Sequence, residues 1–472
     1  MNFEKAHLRN GIFWFMTCLC LALAPAELAC GQSPATPLDA PPATPLGTPL
    51  GASVDTASDS LDEFFFDKAL RLELYQCGDA RELTTTIHSL AEEPIWPESP
   101  KNLITPFAYG KYSVKVFDPM TDRLIYSKGF DTFFAEYATT QPAQLGTKKT
   151  FETTIRIPMP KQPVKLNIDH RLGDNSWVTV FTETIDPKGT RVRRESTGET
   201  DKIFEIQTTG HPHDRVDLVF LSEGYMATER EQFQADVKRM SDYLFSVEPY
   251  QSAKDRFNVS GVFRPSEESG TDEPRQGVFR NTVLNSSFNT LDIDRYLLLE
   301  ENHRMHQMAA RVPYDTIVVL VNTKRYGGGS ICLDYCVSST GHPSSPSVFV
   351  HELGHGMSYL ADEYIGNVSY NDMYPEGIEP VEPNITRELN PDKIKWKAFL
   401  TQDVPLPTLP TFSSKTISNE RIVGAFEGGG YVAKGMYRAE KKCSMGSSDS
   451  RGFCVACNQG IERMIDYYAP KQ

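Results

Sequence analysis

Clustered positive charge is what this 472-residue chain most clearly lacks. Its 48 Lys and Arg are outnumbered by 62 Asp and Glu, giving a formal net charge of −14, and the cations gather into no patch or stripe. A surface that grips phosphates needs such a patch, so nucleic acid is not an expected partner. Beyond the first thirty residues there is no apolar run of the roughly 20 residues that a membrane-spanning helix takes. Histidine is scarce too, with ten in the whole chain, so a pair at ligand spacing carries weight. With 39% apolar and 23% charged residues, the bulk of the chain reads as globular, and its length suits two domains better than one.

Residues 1–30 read as a secretory signal peptide. Lys5 and Arg9 precede the apolar stretch from Ile12 to Ala24, and small residues follow at Ala24-Pro25-Ala26. Residues 31–61 are a linker rich in Pro, Ala and Thr with a repeated Thr-Pro-Leu unit, too poor in bulky apolar groups to offset its ordering entropy. The expected location is exported, whether secreted, periplasmic or attached to the cell surface. No transmembrane helix is expected in the mature chain. Oligomeric state does not follow from the sequence.

Export changes how cysteine reads. Cys77, Cys332, Cys336, Cys443, Cys454 and Cys457 lie beyond the leader, and disulfides are their expected use in an oxidising compartment. The rival is a four-thiolate structural zinc site built from Cys332, Cys336, Cys454 and Cys457, whose spacings permit it.

The expected fold class is α+β in two domains. Over 62–200, short runs such as KYSVKVFDP, TFETTIRIPMP and WVTVFTETID alternate apolar and polar residues between turn signals, which predicts an N-terminal β-sandwich. Over 201–472 the pattern becomes α/β. VDLVFLSEGY, FNVSGVF and DTIVVLVN read as buried strands, TEREQFQADVKRMSDYLFS as a helix, and LDIDRYLLLEENHRMHQMAARV as a second helix starting near Asp292 or Asp294.

The chemistry is concentrated in FVHELGHGMSYLADEY. On a helix, residues four apart share a face, so His351 and His355 can present two imidazoles to one metal ion, with Glu352 beside the open position. That is the arrangement of a zinc hydrolase, in which the glutamate acts as general base. At this chain's composition, chance yields about 0.01 such motifs. Ser345 followed by Pro346, or Ser347, could cap the helix. A third ligand is needed. Asp362 is the candidate, but on an unbroken helix it would lie about 16 Å along the axis from His351, so the chain must turn, with Gly356-Met357-Ser358 a possible place. Otherwise the ligand comes from elsewhere, such as 370–442. Tyr326–Ile331, with three glycines, could be an edge strand along which a peptide pairs. Met445 could be a platform beneath the metal or an ordinary core residue, and Tyr437 or Arg438 a donor to developing charge.

Taken together these residues resemble the IgA peptidase family of exported bacterial zinc metallopeptidases. HELGH followed by Leu-x-Asp-Glu-Tyr carries the resemblance, and FLSEGY, SEESGTD, VVLVN, YGGG, KIKWK and the late CSM and FCVAC blocks extend it over roughly 205–465. The strand-rich segment before it resembles the β-domain that accompanies such catalytic domains. The resemblance implies a metzincin-like zinc endopeptidase acting on a protein or peptide substrate, with Zn2+ on His351, His355 and Asp362 and with Glu352 as base. Ser358 departs from the family pattern, standing where members often carry the glycine that would make the turn. The alternative is a surface binding protein, with the β-sandwich as its recognition module and a catalytically weak metallopeptidase scaffold. A zinc amidase of cell-wall peptides is a third reading.

Overall fold

The computed structural model describes residues 61–194, 201–366, 373–413, 421–446 and 452–471. The signal peptide and the linker expected over 1–61 fall almost wholly outside the described residues. Cys18, Cys20 and Cys30 fall outside them as well. No helix among the described residues is long and apolar enough to cross a membrane.

The N-terminal part is β-rich. Its strands are β1 (Phe65–Gly78), β2 (Leu83–Glu93), β3 (Tyr112–Asp118), β4 (Arg123–Phe130), β5 (Lys149–Pro160), β6 (Val164–Arg171), β7 (Trp177–Ile185) and β8 (Val192–Arg193). They form two four-stranded sheets, in the orders β5-β1-β2-β8 and β4-β3-β6-β7. Period-two alternation explains why the sheets share one core: Leu70, Leu72 and Leu74 of β1 meet Val114 and Val116 of β3 and Leu166 and Ile168 of β6. The intervening Arg71 and Glu73 are buried as well, at 1% and 2% exposure. Buried charges need partners. Arg71 has Glu93 at 2.9 Å, and Glu73 accepts from Gln307 Nε2 at 3.0 Å, far along the chain.

The remainder is built on a six-stranded sheet. Four parallel strands form its centre: β10 (Val216–Glu223), β11 (Phe257–Phe263), β12 (Thr316–Val321) and β14 (Tyr335–Ser339). Antiparallel β9 (Lys202–Gln207) and β13 (Gly328–Ile331) close the two edges, in the order β13-β14-β12-β10-β11-β9. Strand β10 is apolar at successive positions because both of its faces are covered. Leu218 and Phe220 pack with Phe233, Val237, Phe349 and Leu353, whereas Val219 and Leu221 pack with Met305, Met308 and Tyr314. Three helices lie on the first face: Arg230–Leu244, Ser345–Ser358 and Val455–Tyr468. A short helix, Asn302–Ala309, lies on the second.

One expected helix is much shorter than its pattern. Only Asn302–Ala309 of the stretch 291–312 is α-helical. Leu291 and Asp292 take positive φ of 52° and 64°, and Leu298–Leu299 pairs with Ser286–Ser287. The consecutive buried Leu297, Leu298 and Leu299 satisfy a short β pairing, which suits an unbroken apolar run better than a one-sided helix.

The described residues form one compact unit. Its β-rich part and the part built on the six-stranded sheet are joined by specific contacts. Arg156 donates to Tyr314 O at 2.6 Å and stacks on the Tyr314 ring at 3.5 Å. His303 Nε2 lies 2.9 Å from Leu74 O, and Tyr109 stacks on Tyr359 at 5.2 Å.

Candidate metal centre and active-site cleft

The helix Ser345–Ser358 carries the candidate ligands. Ser344 is its N-cap and Pro346 sits in its first turn, where a missing N–H costs nothing. The cap is therefore one residue earlier than Ser345. Val348, Phe349, Leu353 and Met357 bury one face, turning His351, Glu352 and His355 toward a cleft. Gly354 lets the helix settle on Met445, whose Sδ would lie 2.9 Å from any Cβ at that position. Met445 is thus a fully buried core residue supporting the turn of helix that bears both histidines.

The helix does not turn at Gly356-Met357-Ser358. It runs through Ser358, and the reversal comes at Tyr359, with φ 54° and ψ 34°. A left-handed backbone at an aromatic residue costs about 1 kcal/mol or more. Burial at 3% exposure and the stack on Tyr109 hold it there. Two further bonds finish the reversal, Tyr359 N to His355 O and Leu360 N to Gly354 O, both 3.2 Å. Ser358 therefore needs no glycine-like freedom. Asn384 then clamps Ala361 through both backbone groups, at 2.8 Å each.

The result brings Asp362 back over the helix. Asp362 Oδ1 lies 3.1 Å from His351 Nε2 and 3.4 Å from His355 Nε2, and the two Nε2 atoms are 3.2 Å apart. Three donors held tetrahedrally at about 2.0–2.1 Å from one ion are about 3.3 Å from each other, so the triangle has the dimensions of one face of a tetrahedral zinc site. The histidines are oriented for it. His351 Nδ1 donates to Ser444 O at 2.8 Å and His355 Nδ1 to Leu360 O at 2.5 Å, which leaves both Nε2 lone pairs facing the centre. Tyr431 Oη donates to Asp362 Oδ2.

The electrostatics agree with the geometry. Burial pulls the His351 pKa down, but the bond to Asp362 and its charge outweigh this and raise it to about 9. His355 is raised for the same reasons, again against burial. Asp362 is held well below the usual carboxylate range, because the two imidazoles outweigh its own burial. The three side chains thus stabilise positive charge at the point where they converge, whether a proton or a metal cation supplies it. Glu352 lies on the adjacent helical position, its pKa raised by burial in the cleft wall and partly offset by His351 and His355. The donor set of two neutral imidazoles and a carboxylate, with a free side toward the cleft, fits a catalytic metal.

The cleft has a volume of about 330 Å³. Tyr364, Tyr431, Tyr326 and Arg295 line it, together with Asp131 and Glu136 of the β-rich part. Burial pushes Glu136 up to about 8, opposed by the bond it accepts from Tyr296 Oη at 2.6 Å. Tyr437 and Arg438 do not reach the cleft. They lie on a strand, Val432–Arg438, and Arg438 donates to Glu427 O at 3.1 Å. Tyr364 and Tyr431 line the cleft in their stead. The first stands in the motif itself, but nothing local marks the second. Strand β13 is the sheet edge expected of Tyr326–Ile331, yet one of its outward carbonyls is taken. Gly328 O accepts from Leu297 N at 3.2 Å, so a peptide could pair along its full length only by displacing that bond.

The cysteines depart furthest from expectation. Among the described residues none is in a disulfide. Cys332 lines the cleft and Cys336 is buried in strand β14, so the set Cys332, Cys336, Cys454 and Cys457 does not assemble. Instead Cys443, Cys454 and Cys457 meet Glu363.

Comparison with known proteins follows the same division of the chain. Residues 204–421 and 412–465 match the family model described as IgA Peptidase M64, and residues 60–182 match that described as Peptidase M64 N-terminus. A search of curated proteins finds no match.

Proposed function

Because the chain belongs to the IgA peptidase M64 family, with that family's N-terminal region ahead of its peptidase region, we propose that it is an exported, zinc-dependent endopeptidase of metzincin-like build. The observation that carries this reading is the convergence of His351 Nε2, His355 Nε2 and Asp362 Oδ1 beside Glu352. Those three residues would hold the zinc. When bound, zinc supplies Lewis acidity, which lowers the pKa of water and polarises a carbonyl.

The remaining work falls to the chain's own side chains. Glu352 accepts the proton of the attacking water at its carboxylate and delivers it to the leaving amide nitrogen. Its upward-shifted pKa suits both halves of that task. Ser444 O and Leu360 O fix the imidazole tautomers through Nδ1, and Tyr431 fixes the Asp362 carboxylate. Tyr364, whose ring lies 5.8 Å from that of His351, is kept protonated by burial and by the charges of Asp362 and Glu352. It is the hydroxyl best placed to donate to charge developing on a carbonyl oxygen. An extended peptide would lie in the cleft lined by Glu136 and Tyr364. The buried Met445 beneath Gly354 supports the metzincin-like reading, and the apolar leader supports export.

The test is digestion of denatured proteins by the full chain, with product ends read by mass spectrometry, before and after chelation and zinc return. Internal cuts that vanish with chelator and return with zinc are expected. Trimming from chain ends alone would replace endopeptidase by exopeptidase, and chelator-resistant cutting would remove the metal from the reading.

A further inference from the structure

A second side-chain cluster, outside the cleft, has the composition of a metal site that the proposed reaction does not use. Cys443, Cys454, Cys457 and Glu363 are buried to 3% exposure or less, and their ligand atoms all lie within 4.8 Å of one another. Cys443 Sγ is 3.5 Å from Cys457 Sγ, and Glu363 Oε1 is 3.2 Å from Cys457 Sγ and 3.5 Å from Cys454 Sγ. Thiolates on one tetrahedral zinc at about 2.3 Å are about 3.7 Å apart, and a thiolate–carboxylate edge is slightly shorter. A disulfide needs about 2.05 Å, and three cysteines would always leave one over. Cys454-x2-Cys457 is also the spacing that structural zinc sites favour.

Two details point to an ion rather than to packed thiols. Cys454 N and Met445 N both point at Cys443 Sγ, at 3.2 and 3.5 Å, as donors do around a metal-bound thiolate. Glu363 Oε1 accepts from Asn384 Nδ2 at 3.1 Å, but among the described residues its buried Oε2 has no hydrogen-bond partner. A carboxylate sealed among thiols with an orphaned oxygen is costly unless a cation compensates it.

We propose that Cys443, Cys454, Cys457 and Glu363 form a second, structural zinc site that locks the frame of the first. The three thiols ionise on binding and release their protons to solvent, and the closed four-ligand set leaves no position for substrate. Its position explains its purpose. Glu363 follows Asp362, and Glu363 N is bonded to Met445 O at 2.8 Å. Cys443 precedes Ser444, whose carbonyl orients His351. One buried ion therefore fixes both the third ligand of the cleft and the acceptor behind the first.

The experiment measures metal content of the full chain and of His351→Ala/His355→Ala, with cobalt substitution and thiol titration on the latter. Two zinc ions per wild-type chain are expected, and one in the double variant. That remaining ion should show thiolate-to-cobalt charge transfer, and Cys443, Cys454 and Cys457 should stay unreactive until chelator or denaturant is added. A double variant with no bound metal overturns the proposal, whether its cysteines prove to be free thiols or a disulfide. One thiolate-bound ion in both proteins would uphold this site and count against the cleft as a zinc site. In Cys454→Ser/Cys457→Ser, if it folds, zinc content should fall by at least one ion per chain.

Discussion

His351 Nδ1 lies 2.8 Å from the carbonyl oxygen of Ser444, a residue 93 positions further on. That bond decides which nitrogen of the imidazole faces the cleft. It also places part of the site's control in a segment that carries none of its candidate ligands. The same holds for Asp362, which reaches the histidines only because the backbone reverses at Tyr359 and is clamped by Asn384.

Glu352→Gln removes the proton acceptor while keeping shape and hydrogen bonding. It should lower kcat by about 10²-fold to 10⁴-fold and leave the metal content unchanged. Peptide turnover and elemental analysis on one preparation check both statements. Turnover near the wild-type rate would place the base elsewhere.

Tyr431→Phe deletes the hydroxyl that donates to Asp362 Oδ2. Groups that orient a ligand typically contribute about 10-fold to 100-fold in metal affinity. Competition with a chelator of known strength should show a loss of that size, with the fold intact by circular dichroism. Tyr364→Phe, by contrast, should reduce kcat with little change in affinity for the metal.

Arg156 joins the β-rich part to the six-stranded sheet. Its guanidinium is buried against the Tyr314 ring, donates to Tyr314 O at 2.6 Å and approaches Glu93 Oε2 to 3.8 Å. Arg156→Ala leaves that carbonyl unpaired and weakens the charge balance around Glu93. A loss of about 3–5 kcal/mol is expected, seen as a lower midpoint in chemical or thermal denaturation.

Asp217 and Asp315 form a buried acidic pair, with Asp217 N bonded to Asp315 Oδ2 and Asp315 N to Asp217 O, both at 2.7 Å. Burial raises Asp217 from 3.8 to about 6, against the bond from Asn258, and burial together with the Asp217 charge raises Asp315 further. The folded state therefore holds protons that the unfolded chain has already released. Stability must fall as pH rises from about 4 through 6 and beyond, because ionising a raised acid favours the unfolded state. Asp315→Asn keeps an acceptor for Asp217 N and removes one charge. It should flatten this decline and stabilise the protein by about 1–2 kcal/mol near pH 7. Denaturation curves between pH 4 and 7.5 check the slope, and an unchanged slope would count against the pair as its source.

Part of this site is legible in the sequence and part is not, for a physical reason. His351, Glu352 and His355 share one helical turn, so the 3.6-residue period alone places them together. Asp362 required a reversal that residue preferences would assign to glycine, whereas the chain makes it at Tyr359 with support from Tyr109, some 250 residues earlier. Tyr431, Ser444 and Glu136 meet their partners across 69, 93 and 160 residues, and no local pattern announces a tertiary neighbour. In the fold, β10, β11 and β12 follow their apolar runs. The stretch 291–301 does not become a helix, because three consecutive leucines are buried on more than one side. The cysteines misled because compartment suggests a use for them, but only tertiary structure sets Cys443 beside Cys454 and Cys457 and parts them from Cys332 and Cys336.

The stack of Tyr109 on Tyr359 makes the β-rich region an internal brace for the proposed catalytic apparatus. Cutting the chain ahead of the six-stranded sheet would strip the cleft of its Glu136 wall and leave the bend at Tyr359 to its own backbone bonds and the Asn384 clamp. The two regions that the family comparison separates on paper thus cannot be traded as independent parts. A chimera with another β-rich region would need its own aromatic at that bend to keep the same brace.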